Sequence, residues 1–460
     1  MFKTIFNTFA NCFKIPELKS RIIFTLLVLG VCRLIAMIPI PGLDGGALAD
    51  FFAEAAKKSG STTLIGMYSL FTGGAMERCA LGALGIMPYI SATIIIQLLS
   101  AVVPRLAKLV REEGGRAKIV KYGRYLTVLL CIIQGAALAV SWEKPGAFFG
   151  GDFQGQLILG DPPIWWYRTE TVLLMTTGTL LLMWLGEQIT ERGIGNGISL
   201  VITIGILARL PQAEKAMSDM FTSGRFHPFF HSIAMILLLL GVIAGVIAVT
   251  QAQRKVAVQY AQRAVGRKVV GGGTNYMPLK VNYAGVMPII FAQAILMFPA
   301  KIFEGIGGAY PSLAFLRRFA TGNLREGDPF YLLIYAAMIL FFSYFWVATQ
   351  FNELQIADDL KKGGGYIPGV RPGQATSDYL HNAMSRITLA GAIFLTAIAI
   401  MPILLYRLMD VPYAVATFFG GTSMLILVGV MLDTMRQMES HLLMRHYDGF
   451  LKKGRLKGRF

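Results

Sequence analysis

Charge is scarce in this sequence. Asp, Glu, Lys and Arg make up 15% of its 460 residues, against roughly 25% in soluble globular domains, which argues against an ordinary soluble enzyme. Negative charge is the scarcer sign, since 26 acidic residues face 43 Lys and Arg and leave a net charge of +17. Four cysteines are too few for a disulfide scaffold. His227 and His231 stand four apart, but Pro228 follows the first and no third ligand is near, so no metal is expected. Nucleotide motifs are missing as well. GIGNG at Gly193 to Gly197 has no strand before it and opens an apolar helix, which makes it a tight interhelical turn, and Gly271 to Gly273 lacks the Lys and Ser/Thr of a phosphate loop. No catalytic constellation and no cofactor site is visible, so any energy source is external. What the chain has in quantity is apolar surface: 55% hydrophobic residues and a mean hydropathy of +0.57. That excludes disorder and indicates a basic, polytopic membrane protein.

A span needs about 20 mostly apolar residues. Ten stretches qualify, near Ile22 to Ile40, Ala80 to Val103, Ile119 to Val140, Thr171 to Gly186, Ile194 to Leu210, Ser232 to Thr250, Ala284 to Ala300, Phe330 to Thr349, Ile387 to Leu405 and Val411 to Met435. Each is expected to be helical, because hydrocarbon offers no water to satisfy backbone groups. The chain start and every second loop hold 29 Lys and Arg, and the intervening loops hold 13. By the positive-inside rule both termini face the cytoplasm, in agreement with an even number of spans.

Basic cytoplasmic loops orient any membrane protein and attract anionic lipids. The segment from Gln251 to Lys280 goes further, with six positive and no negative charges in 30 residues, a composition suited to an acidic partner or to ribosomal RNA phosphates. The loop from Asn352 to Arg386 is balanced in charge, and in its KKGGGYIPGVRPG run glycine and proline shape an ordered turn around Arg371. The span interiors are nearly free of ionisable residues, which disfavours an ion-coupled solute transporter. Arg33 is the exception, expected in a hydrogen-bonded contact or snorkelling. Gln97 and Asn282 are polar enough to tie helices together. The apolar run from Ser61 to Met76 is too short to cross, and Gly73 and Gly74 interrupt it. It either re-enters to fill a pore or lies on the outer surface.

The stretches GIMPYISATIIIQLL (Gly85 to Leu99), MWLGEQITERGIGNGIS (Met183 to Ser199), PLKVNYAGVMP (Pro278 to Pro288), IPGVRPG (Ile367 to Gly373) and FGGTS (Phe419 to Ser423) are similar to the most distinctive segments of the SecY family. These are the large, channel-forming subunits of the bacterial Sec protein translocase. The resemblance runs from IPIPGLD at Ile38 to LKGRF at the end. It implies an all-α membrane fold of ten helices in two five-helix halves of inverted pseudo-symmetry, 1–215 and 216–460, around a central pore. It implies a pore ring of Ile86, Ile90, Ile198, Ile202, Ile290 and Ile426. Such β-branched, non-hydrogen-bonding side chains can close on a passing polypeptide without reading its sequence.

The resemblance also assigns 61–76 as a re-entrant plug, with Leu64, Ile65, Met67, Tyr68, Leu70 and Phe71 as its apolar residues. Gln97 and Asn282 become polar positions near a lateral gate, through which hydrophobic segments leave for lipid. Arg254, Lys255, Arg263, Arg267 and Lys268 of the 251–280 loop, with Arg371 of the 352–386 loop, become docking residues for the ribosome and the motor ATPase SecA, and 436–460 is the basic tail. SecE, SecG, signal-bearing preproteins, nascent membrane proteins and anionic lipids are the further partners implied, with no DNA. The extended outer loop 142–170, with Trp165 and Trp166, departs from the family pattern.

Overall fold

The computed structural model describes residues 15–59, 72–112, 114–143, 157–160, 162–222, 228–260, 263–265, 268–270, 273–293, 328–409 and 422–453, together with 153, 295, 296, 315, 318, 322, 415, 416 and 418. Contacts divide the chain into two compact units, Met1–Lys215 with Ile426–Phe460, and Ala216–Leu425. Five helical stretches among the described residues are long and apolar enough to cross a membrane: Ala117–Glu143, Ile164–Arg192, Gly197–Asp219, Pro329–Lys362 and Gln374–Leu404.

The first unit begins with α1 (Pro16–Ile35), started by a proline at its first turn, and α2 (Gly45–Ser59). An irregular stretch, 72–86, leads to α3 (Met87–Val102) and the short α4 (Pro104–Arg111), bent by 104° from α3 where Pro104 breaks the backbone ladder. Next come α5 (Gly115–Glu143) and α6 (Ile164–Arg192), an antiparallel pair pinned at both ends by two-pronged ion pairs, Arg124 to Glu187 and Arg168 to Glu143. α7 (Gly197–Leu207) and α8 (Leu210–Thr222) follow. Trp142, Tyr167, Met175, Cys79 and Cys131 form the middle of one core, against which Phe51 and Phe153 also pack. Residues 157–160 pair with 42–44: Asp44 N–H donates to Leu157 O at 2.9 Å, and Leu159 N–H to Gly42 O at 2.9 Å.

The expected helix from Ala80 to Val103 needs correction. Residues 73–86 are not α-helical, and Gly73, Gly74, Cys79 and Gly85 have positive φ. Neighbouring backbone replaces the missing helical bonds: Ile40 N–H donates to Cys79 O, and Leu81 N–H to Ile38 O, both at 2.8 Å. Irregular chain is tolerated at membrane depth only when protein satisfies it in this way.

The second unit contains α9 (Pro228–Gln251), α10 (Pro329–Gln350), α11 (Glu353–Lys362) and α12 (Gln374–Met409), which carries Pro402 within it. The expectation of an all-α chain is corrected here. The 251–280 segment folds as β1 (Gln253–Tyr260), β2 (Arg263–Val265), β3 (Lys268–Val270) and β4 (Thr274–Lys280). β1 and β4 pair antiparallel along their length, with Val256 opposite Met277, and β2 pairs with β3. The cause is a period-two pattern inside a basic loop: Val256 and Val258 turn inward while Arg254 and Lys255 stay exposed. A third strand, β5 (Gly365–Tyr366), joins the free edge of β1, with Gln259 opposite Tyr366. The two polar loops therefore share one sheet, whose inner face rests on Phe351, Leu380 and Met384. The last described element is α13 (Thr422–Lys453), whose Met438 and Leu442 pack against Leu18, Ile22 and Ile194 of the first unit.

Candidate functional site: the isoleucine positions and their supports

Ile86 immediately precedes α3 and Ile90 lies in its first turn, while Ile198 and Ile202 sit one turn apart on α7. Ile86, Ile90, Ile202, Ile290 and Ile426 are 2%, 4%, 5%, 2% and 2% exposed, so five of the six expected ring positions are buried; Ile198 is half-buried. Ile290 belongs to the second unit and the other five to the first.

What holds α7 in place is the GIGNG turn, which behaves as the sequence suggests and carries more than the sequence shows. Three of its backbone N–H groups are taken by side chains from three helices. Ile194 N–H donates to Thr25 Oγ1 of α1 at 3.1 Å, Gly195 N–H to Gln437 Oε1 of α13 at 2.8 Å, and Gly197 N–H to Thr190 Oγ1 of α6 at 2.9 Å. Asn196 caps α7, its Oδ1 accepting from Ser199 N–H at 3.3 Å. Gly195 has φ of 89°, a left-handed conformation that suits glycine. A Cβ on Gly197 would overlap the Gly186 carbonyl, so α6 and α7 approach here as only glycine allows. Thr25, Thr190 and Gln437 escaped sequence reasoning because the turn meets two of them across 169 and 242 residues.

The irregular stretch is fastened to α1 and to the turn that follows α7. Arg33 Nη1 donates to Gly73 O at 3.2 Å, which is the hydrogen-bonded contact expected of that residue. Glu77 Oε1 accepts from Arg209 Nη2 at 2.6 Å, with side chains 17% and 18% exposed. Arg33, Ala36, Thr72, Gly85, Ile86 and Gly205 line a small cavity beneath this stretch. The expected plug residues Leu64, Ile65, Met67, Tyr68, Leu70 and Phe71 lie outside the described residues.

Of the polar pair, Gln97 is half-buried on α3 and Asn282 is buried just after β4. Arg254 and Lys255 are exposed on β1, opposite Leu279 and Pro278 of β4. Arg263 and Lys268 fall on β2 and β3, and Arg267 lies outside the described residues. Arg371 is exposed on the turn between β5 and α12, where Val370 N–H donates to Ile367 O at 3.0 Å and Thr376 Oγ1 to Arg371 O at 2.9 Å. The β1 to β5 pairing thus places Arg371 and Arg254 on loops built into one sheet. No group of three or more His, Cys, Asp or Glu suited to a metal occurs among the described residues.

The fold is similar to that of solved protein-conducting channels. The structure described as "The structure of a protein conducting channel" aligns with a TM-score of 0.59 at 18% identity, covering 91% of each chain. The Sec61 of a canine ribosome-channel complex aligns at 0.56 with 17% identity, also over 91% of each. In sequence, the protein translocase subunit SecY of Chlamydia trachomatis serovar D is 43% identical over 98% of this chain and 99% of that protein. The corresponding Escherichia coli (strain K12) subunit is 43% identical over 96% of each. The SecY family model matches residues 80–435, and with these relatives it shows that the chain belongs to the SecY family.

Proposed function

We propose that this protein is the central subunit of a protein-conducting channel in the cytoplasmic membrane. It passes unfolded preproteins across the bilayer and releases hydrophobic segments sideways into lipid. It performs no covalent chemistry of its own, and the energy comes from SecA or the ribosome acting on the basic loops. The observation that carries this reading is family membership over 80–435, with relatives named as translocase subunits matched along nearly their whole length.

In this reading ten helices form two pseudo-symmetric halves, 1–215 and 216–460, with both termini cytoplasmic. Ile86, Ile90, Ile198, Ile202, Ile290 and Ile426 form the ring, and 61–76 is the plug. That Ile86, Ile90, Ile202, Ile290 and Ile426 are each buried supports a resting seal, since an aliphatic constriction without hydrogen-bonding groups dewets and excludes ions. Gln97 and Asn282 bias the lateral gate toward closure. A departing signal segment gains about 0.8 kcal/mol per methylene buried in lipid, so partitioning alone can draw it out.

Arg254, Lys255, Arg263, Arg267, Lys268 and Arg371 form the docking surface for SecA and the ribosome, including its RNA. The shared sheet of the two loops supports their acting as one surface. SecE and SecG complete the channel, and anionic lipids meet the basic face.

A photo-crosslinking residue at Ile202 or Ile290 tests the reading, with a stalled, signal-bearing polypeptide in transit and a lipid-facing control position such as Leu173. Adducts at the ring positions and none at the control are expected. Absence of adducts at both ring positions, in membranes shown to export that polypeptide, refutes a path through this subunit.

A further inference from the structure

Ile198, Ile202, Gly205 and Arg209 are spaced four, three and four residues apart, which puts them on one stripe of α7 and the turn that continues it. The upper part of that stripe meets the irregular stretch at two points. A Cβ on Gly73 would come within 3.0 Å of Gly205 Cα and O, so the two backbones touch there. Four residues further along each segment, Glu77 binds Arg209 at 2.6 Å. Gln212 Oε1 also accepts from Arg209 Nε at 3.2 Å, which restrains the guanidinium from the other side. Arg33 grips Gly73 O from α1. One contact would leave the stretch free to pivot or slide along the helix; two contacts four residues apart remove both freedoms. The same stretch runs directly into Ile86 and Ile90.

We propose that Glu77 and Arg209 are positioning residues for the resting ring. Their ion pair sets the register of stretch 72–86 along α7, and with it the place of Ile86 and Ile90 relative to Ile198 and Ile202. The pair lies about 10 Å along the helix from Ile202, seven residues at 1.5 Å each, and acts through the backbone rather than by touching a translocating chain. The inference rests on the ring reading, because without a ring there is no seal to position. Both side chains are mostly shielded, so removing either charge leaves the other poorly solvated and the register loosened.

The test uses the full chain with its small partner subunits in proteoliposomes, reading resting chloride efflux. Glu77→Gln and Arg209→Gln each raise the leak roughly tenfold, and the exchange Glu77→Arg with Arg209→Glu brings it back to within about twofold of the parent. Ile202→Asp serves as the ring control. Single variants that stay tight while Ile202→Asp leaks overturn the proposal. So does an exchange variant as leaky as the singles, which would mean a merely structural loss. If Ile202→Asp does not leak, the ring reading itself has failed. The register is then read by spin labels at Arg78→Cys and Leu207→Cys: a distance that broadens in Glu77→Gln supports the positioning, and an unchanged one overturns it.

Discussion

Replacing Thr25 by Val keeps the shape of the side chain and deletes one oxygen. That oxygen donates to Arg21 O at 2.8 Å within α1 and accepts from Ile194 N–H at 3.1 Å in the GIGNG turn. The Arg21 carbonyl keeps its helical partner, but the Ile194 N–H is buried with nothing to replace the lost acceptor. Leaving a buried donor unsatisfied costs about 1–3 kcal/mol. If the loss falls on the local opening of the turn, amide exchange at Ile194 and Gly195 speeds up by about 5- to 150-fold, at tenfold per 1.4 kcal/mol. Hydrogen-exchange mass spectrometry of a peptide covering 193–197 measures this directly in the membrane-reconstituted protein. Thr177→Val is the control, because Thr177 Oγ1 donates only to Leu173 O on an exposed part of α6. Its effect should be within about 0.5 kcal/mol, which is less than threefold. Exchange at 193–197 that rises by less than about twofold in Thr25→Val, or no more than in the control, refutes the claim that side chains from other helices hold the turn.

Other perturbations separate packing from polar support. Gly197→Ala should force α7 away from Gly186 and lower the thermal midpoint, whereas Gly241→Ala, where an added methyl meets nothing within 4 Å, should not; equal midpoints would contradict the close approach. Trp142 is fully buried, and its Nε1 has no hydrogen-bond partner among the described residues. Trp142→Phe should therefore cost less than about 1.5 kcal/mol and Trp142→Ala about 3–5 kcal/mol, compared by denaturant unfolding. Arg371→Glu should abolish partner-driven export of a preprotein while its melting curve stays unchanged, since Arg371 is exposed and its backbone carbonyl, not its guanidinium, holds the turn. Export at the parent rate would remove Arg371 from the docking surface.

Much of the site was legible because membrane chains advertise length, hydropathy and charge locally. Apolar runs marked the helices 115–143, 164–192, 329–350 and 374–409, with ends within about two turns except at the start of the last, which begins 13 residues before its apolar run because the polar segment from Gln374 to Arg386 is helical too. GIGNG could be recognised as a turn because glycine and asparagine choose their conformation without distant help. The positions of Ile86, Ile90, Ile198 and Ile202 came from resemblance, since one isoleucine in an apolar helix looks like any other until its neighbours are known. Glu77 and Arg209 left a faint trace, as charges bordering apolar segments, but nothing in their spacing says that they meet across 132 residues.

By itself, then, the sequence determined that this is a multi-pass membrane protein of the SecY family, with basic polar loops and nearly uncharged spans. Those properties are sums over local residues and need no partner to be read. Tertiary structure alone decided that 73–86 departs from helix, because its backbone is satisfied by 35–40 and held by Arg33 and Arg209. It alone joined two distant loops in one sheet, since the β1 edge is completed by Gly365 and Tyr366 from more than a hundred residues away. It alone brought α13 back to Leu18 and Ile194 of the first unit. Each of these depends on which groups meet after the chain has folded, and a hydrogen bond or a packed side chain has no local signature until its partner arrives.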